Sequence, residues 1–108
     1  MKLIVATIQD QDAEAVVEAL NKQGFRVTRI GTTGGFLGQG NTTLLAGVDD
    51  DKVDAAVDVF KKTSHRRRRY MPMATGAAPD GVALYNYIEV EVGGATIFIL
   101  NVEHFEQV

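Results

Sequence analysis

The side chains able to perform catalytic or metal chemistry are few and scattered in this sequence. His65 and His104 have no cysteine beside them and form no HxxxH or HExxH pair, the spacings that hold zinc. Ser64 is the only serine, and no GxSxG turn surrounds it. The aspartates at 49–51 precede a predicted helix, where we expect capping and dipole complementation rather than cation binding. These residues predict a protein that is not an enzyme.

A glycine-rich segment at residues 31–40 (GTTGGFLGQG) has the composition of an anion-binding loop. It lacks the GK[ST] ending of a Walker loop and joins two predicted strands, which also excludes the dinucleotide-binding fingerprint. A flexible hairpin tip would explain the glycines. It would leave Phe36 and Leu37 unexplained, because large apolar side chains on a loop are costly in water unless they cover a ligand or a partner.

Polar residues flank this loop on both sides. Arg26 and Thr28 precede it on one face of a predicted strand, and Asn41 follows it. A cation, a hydroxyl and an amide can bind phosphate and the edge of a base. The spacing therefore predicts a phosphate or nucleotide site around the loop.

A run of arginines from Arg66 to Arg69, followed by Tyr70, is the second charged feature. It has the look of an RNA-binding patch, but it lacks aromatic platforms, and the formal net charge of the chain is −3. We expect no general nucleic-acid binding. The run is interpreted as a solvated segment, an anion contact or a docking loop for protein or RNA.

Helical and strand periodicities alternate along the chain and predict one α+β domain over residues 1–108. Its order is βαββαβ, the ferredoxin-like arrangement, with an extra hairpin strand before the last strand. Asp10 is expected to cap the first helix, and residues 64–83 are expected to be irregular. Gly93 and Gly94 separate two alternating stretches, which predicts a tight hairpin there.

The first and last predicted strands are apolar on both faces, with Leu3 and Val5 opposed to Ile4 in the first strand. Helices of a ferredoxin-like fold cover one sheet face only, so the other needs a cover. We expect neighbouring subunits to provide it. The alternative is that residues 64–83 fold back over this face.

The composition and the first residues indicate the cellular compartment in which the protein is expected. The sequence contains no cysteine, which excludes disulfides and thiolate metal sites. The apolar stretch at residues 2–8 is too short for a signal peptide or a membrane span. We expect a cytoplasmic protein without membrane insertion.

Two long segments carry a family resemblance. The N-terminal half, MKLIVATIQD through LLAGVDDDKV, and the C-terminal EVEVGGATIFILNVEHFEQV resemble the PII-like cyclic di-AMP receptors of Gram-positive bacteria. The most specific pieces are GFRVT, TGGFL-xx-GNTTLL and GGATIF. The match is weakest in HRRRRYMPMATGAAPDG, which is more basic than the family pattern.

The resemblance implies a PII-like signal-transduction protein without catalytic activity or cofactor. Its implied partners are cyclic di-AMP, two further copies in a homotrimer and an unidentified downstream protein. One ligand site would lie in each cleft between subunits. The alternatives are a PII-like sensor of another adenine nucleotide or anion, and an interaction module using the arginine run.

Carried over by position, the resemblance implies nine ligand-contacting residues: Arg26, Thr28, Gly35, Phe36, Leu37, Asn41, Gly47, Phe98 and Gln107. Phe36 and Leu37 would cover an adenine face, and Asn41 with backbone groups near Gly47 would bind the adenine edge. Arg26 and Thr28 would meet phosphate or ribose.

Overall fold

The computed structural model describes residues 1–31, 40–64, 66–77 and 83–108, and within 66–92 it describes the side chains of Tyr70 and Glu89 alone. The elements in chain order are β1 (Lys2–Gln9), α1 (Asp10–Lys22), β2 (Thr28–Gly31), β3 (Asn41–Val48), a 3₁₀ turn (Asp50–Lys52), α2 (Val53–Thr63), β4 (Arg66–Ala77), β5 (Ala83–Gly93) and β6 (Ala95–Asn101).

Four strands form one sheet in the order β2-β3-β1-β6, with every neighbouring pair antiparallel. β1 and β3 are central, and β2 and β6 are the two edges. Both helices belong to the βαββαβ order, with β4 and β5 inserted before the last strand. This is the ferredoxin-like α+β fold that the sequence predicted.

The core lies between the sheet and the two helices. Ile4, Ala6 and Ile8 of β1 are buried there, together with Leu20 of α1 and Phe60 of α2. Burying a side chain such as Leu20 or Phe60 stabilises the fold by about 1.5–3 kcal/mol. In β1 the helices therefore cover the face of Ile4, Ala6 and Ile8 and leave the face of Leu3 and Val5 open.

The start of α1 is fixed by contacts other than the predicted cap. Asp10 is the first residue of the helix, and the N-cap is Gln9, which makes no side-chain cap hydrogen bond. The Asp10 carboxylate instead accepts a hydrogen bond from Thr42 Oγ1 at 2.6 Å, and the Asp10 N–H donates to the Gly40 carbonyl at 3.1 Å. The prediction for Asp10 was wrong, and its contacts tie α1 to the start of β3.

The stretch predicted to be irregular is mostly a strand. β4 pairs antiparallel with β5 in a separate two-stranded sheet, with a register irregularity between Ala74 and Gly76. The four arginines therefore begin β4 rather than occupying a loop. Pro72 and Gly76 weakened the strand signal, because both are unfavourable inside a sheet, although an edge strand tolerates proline.

The hairpin predicted around Gly93 and Gly94 was also wrong. Both glycines have positive φ, 91° and 77°, as a turn requires. They link two different sheets, however, because β5 pairs with β4 and β6 pairs with β1. Alternation identified the strands without identifying their partners.

The pair β4 and β5 makes the chain elongated. Its radius of gyration is 18.6 Å, and its principal extents are 66 × 26 × 20 Å. A compact domain of this length has a radius of gyration of about 13 Å. Two-stranded ribbons are marginally stable in water on their own, so a ribbon of this length needs support from elsewhere.

Candidate functional site

A groove of about 630 Å³ opens beside the β2 edge of the sheet, a size typical of small-molecule sites. Four of the residues predicted to bind a ligand line it: Arg26, Thr28, Gly47 and Gln107. The remaining lining residues are Met1, Leu3, Asn21, Val27, Leu45 and Phe105. The structure therefore brings together residues from both ends of the sequence.

Strand alternation places these residues on the sheet face that the helices leave open. Thr28 pairs with Leu45, and Gly47 pairs with Leu3. The members of both pairs therefore lie on the open face. Arg26 lies two residues before Thr28 and is exposed, whereas Val27 between them is partly buried. The groove is thus the β2 end of the open face.

The guanidinium of Arg26 is available for a ligand. It makes no ion pair or side-chain hydrogen bond with the residues that the structure describes. Arg29, on the opposite face of β2, donates to Glu14 Oε2 at 2.8 Å. Two neighbouring arginines therefore differ in role, and Arg26 is the one suited to bind an anionic group.

Gly47 keeps space open in the groove. A Cβ built at this position would lie 3.8 Å from Met1 Sδ, an ordinary van der Waals separation, and meets nothing nearer. The packing of this chain therefore does not require glycine there. A glycine that internal packing does not need, inside a strand, is typical of a place where a ligand approaches the backbone.

The C-terminal tail forms one wall of the groove. The Val102 N–H donates to the Met1 carbonyl at 3.2 Å and anchors the start of the tail. Phe105, 62% exposed, and Gln107 then line the groove. Sequence reasoning missed Phe105, an aromatic ring able to stack on a base.

Asn41 lies on the same open face but outside this groove. It is six residues from Gly47 along β3, which corresponds to about 20 Å. One adenine edge cannot contact both residues within one chain. Within one chain, Asn41 and Gly47 can therefore contact only different parts of a ligand, and their joint role at one adenine edge stays a prediction that would need two chains.

Phe98 lies at the opposite edge of the sheet. The registers form a row across the four strands, Thr28 beside Leu45, Leu45 beside Val5, and Val5 beside Phe98. Three strand separations amount to about 14 Å. Phe98 is 59% exposed, so a second molecule can reach it on the open face.

The whole chain matches one family profile, described as cyclic-di-AMP receptor, over residues 1–108. The chain belongs to the cyclic di-AMP receptor family. It is also similar to a crystal structure of a protein from Pediococcus pentosaceus described as functionally unknown. That similarity has a TM-score of 0.72 and 37% sequence identity, and it covers 99% of this chain and 96% of that chain. The family resemblance found in the sequence and the PII-like fold are confirmed.

Three predicted ligand residues of this family member, Gly35, Phe36 and Leu37, lie outside the described residues. Within the described ranges there is no group of three or more His, Asp or Glu side chains placed to hold a metal ion. Neither of the two described helices is long and apolar enough to cross a membrane.

The acidic residues at 49–51 are not side-chain caps. Asp49 occupies the N-cap of the 3₁₀ turn without a side-chain cap hydrogen bond. Asp50 Oδ1 accepts from the N-terminal ammonium of Met1 at 2.9 Å, and this hydrogen bond and the positive charge hold the pKa of Asp50 below its ordinary value. A lowered carboxyl pKa stabilises the fold above the ordinary pKa, and this contribution is lost as the pH falls through the lowered value.

Proposed function

We propose that this protein is a receptor for cyclic di-AMP that binds the dinucleotide in clefts between the subunits of a homotrimer. The observation that carries the proposal is that residues which the resemblance implies as ligand contacts lie at two opposite edges of the sheet. Arg26 and Thr28 lie at the β2 edge, and Phe98 lies about 14 Å away at the β6 edge. A second chain that places its β6 edge beside the β2 edge of the first would bring both groups into one compact cleft.

The groove offers the chemistry that a cyclic adenine dinucleotide requires. Arg26 supplies a charge-assisted hydrogen bond for a phosphodiester, and Thr28 supplies a hydroxyl for phosphate or ribose. Phe105 supplies an aromatic surface for a base. Gly47 leaves room for that base to approach β3. An adenine ring is flat and apolar on its faces and polar at its edge, so this mixture of groups suits it.

The open sheet face supports the assembly. Ile30, Phe98 and Leu100 are 44–59% exposed although they stand on a sheet, so the described part of the chain does not cover them. Residues 64–83 were the alternative cover, but their described strand, β4, pairs with β5 in a separate sheet. A contiguous apolar surface on a small protein is typical of an interface, and closed symmetry lets one surface serve every copy.

The segment between β2 and β3, which the sequence predicts to be a glycine-rich loop at residues 31–40, is the expected conformational switch. Its far end is held by the Asp10–Gly40 hydrogen bond, and its near end follows Gly31 of β2. Phe36 and Leu37 are within this loop, so a ligand that contacts them selects one loop conformation. A downstream protein that binds this conformation more tightly would sense the ligand.

A ligand panel with measurement of mass in solution tests the proposal. We expect calorimetric binding of cyclic di-AMP, and a mass near 35 kDa, three times the 11.7 kDa chain. Neither ATP nor ADP is expected to bind comparably, because each presents one base. Equal binding of all three compounds would support a general adenine nucleotide sensor instead. A trimer that binds none of them would contradict the proposal.

Substitution of Gly47 by valine is expected to separate stability from binding. Valine suits a strand better than glycine and should stabilise β3 by about 1 kcal/mol, since the chain has space for a Cβ there. The same side chain would occupy the ligand's space and weaken cyclic di-AMP binding. Thermal unfolding without ligand and calorimetry with ligand measure the two effects.

Gly47→Ala provides the graded control, because its smaller side chain should weaken binding less than valine does. Gly24 cannot serve as the control, since its φ of 86° disfavours any side chain. If Gly47→Val binds cyclic di-AMP normally, the ligand does not approach β3 at this residue.

A further inference from the structure

A second groove, of about 400 Å³, adjoins the first. The two grooves share Arg26 and Gly47, so a molecule in one can extend into the other. The second groove is otherwise lined by the end of α1, the end of β3 and the turn after it. Its remaining lining residues are Gln23, Gly24, Phe25, Val48, Asp49 and Lys52.

The charges of the two grooves are unequal. The first groove has one cationic side chain, Arg26, because the Met1 ammonium is engaged by Asp50. The second adds Lys52, an exposed side chain that makes no ion pair with the residues that the structure describes. A cyclic dinucleotide has two phosphodiester groups and therefore two negative charges. One cation does not match both.

We propose that the second groove receives one phosphodiester of the bound dinucleotide and that Lys52 is its cationic contact, with Arg26 serving the other. This inference rests on the proposed function and names a ligand-binding residue beyond the set that the family resemblance implied. The backbone at Lys52 is fixed, because the Lys52 N–H donates to the Asp49 carbonyl at 2.9 Å. The Lys52 side chain is flexible, and it extends from this fixed backbone position.

Asp49 lines the same groove and has the opposite charge. Its carboxylate opposes a phosphate there by direct repulsion, so the groove as described holds two cations and one anion. The proposal therefore predicts effects of opposite sign for the two neighbouring residues. An unspecific loss of structure would weaken binding in both variants.

The test compares three variants of the full chain by calorimetry with cyclic di-AMP. Lys52→Met keeps the aliphatic stem and removes the charge, and we expect it to weaken binding about tenfold. Asp49→Asn should strengthen binding. Lys61→Met is the matched control, because it makes the same charge change at an exposed residue of α2 that lines a different cavity.

Ionic strength provides a second readout. Loss of a phosphate contact should make the affinity of Lys52→Met less dependent on salt than that of the wild type, while Lys61→Met should keep the wild-type dependence. If wild type binds but Lys52→Met behaves like Lys61→Met, the Lys52 assignment is wrong and the proposed function stands. If wild type does not bind cyclic di-AMP, both the proposed function and this inference are wrong.

Discussion

Arg26→Ala is expected to bind cyclic di-AMP about 10- to 150-fold more weakly than the wild type, the value of a hydrogen bond to a charged group. Its trimer and its unfolding temperature without ligand should stay unchanged. The reason is that the Arg26 guanidinium contacts no partner among the described side chains, so the fold does not depend on it. Calorimetry and light scattering measure the two results.

Arg29→Ala is the matched control for this prediction. It removes the same charge three residues away, on the helix-covered face of β2, where Arg29 pairs with Glu14. That pair is exposed and contributes at most about 1 kcal/mol to stability. Arg29→Ala should therefore bind normally. Equal weakening in both variants would mean that net charge alone is responsible, and the site assignment would be wrong.

Asn41→Ala is expected to weaken binding in the same direction. Asn41 also has an interaction within its own chain. A loss of binding in this variant would therefore combine the lost ligand contact with the lost internal interaction. Arg26 gives the clearer result.

Val5→Glu is expected to break the trimer. Val5 lies at the centre of the open face, between Leu45 and Phe98. In the assembly, a carboxylate at this position would be buried without a partner, which costs several kcal/mol at each interface. Light scattering should then give a mass near that of one 11.7 kDa chain, and cyclic di-AMP binding should disappear with the assembly.

Lys61→Glu is the control, because it places the same acidic group on α2, on the opposite side of the molecule, at an exposed position. It should remain trimeric. Circular dichroism of Val5→Glu separates dissociation from unfolding, and hydrogen exchange at Ile4 and Ala6 reports on the sheet. A Val5→Glu protein that keeps the trimeric mass would show that the open face is not the interface.

Much of the fold follows from local patterns. Apolar spacing located both helices, and alternation located every strand except β4. The first strand is apolar on both faces, so the sequence did not predict that Ile4, Ala6 and Ile8 form the face that the helices cover. The pairing of β4 with β5, the next strand in the chain, was not predicted because β4 itself was expected to be irregular. Pro72, which is unfavourable in most strands, concealed β4 further.

The candidate site was likewise predicted in part. Alternation placed Arg26 and Thr28 on one strand face; β2 begins only at Thr28, and the two residues line the same groove. Phe105 was missed because a tail without regular structure has no periodicity to interpret. The separation of Asn41 and Phe98 from the groove depends on sheet order and register, which local spacing does not determine.

Mixed trimers test most directly whether two neighbouring chains contribute side chains to one ligand site. Arg26→Ala and Phe98→Ala are each expected to bind cyclic di-AMP poorly when expressed alone. The two chains are co-expressed in equal amounts, and calorimetry measures the number of high-affinity cyclic di-AMP sites in the mixed trimers. If neighbouring chains supply these residues, about a quarter of the sites regain both side chains and bind with wild-type affinity. If one chain supplied the whole site, no site would regain both, and the mixture would bind no better than its two parents.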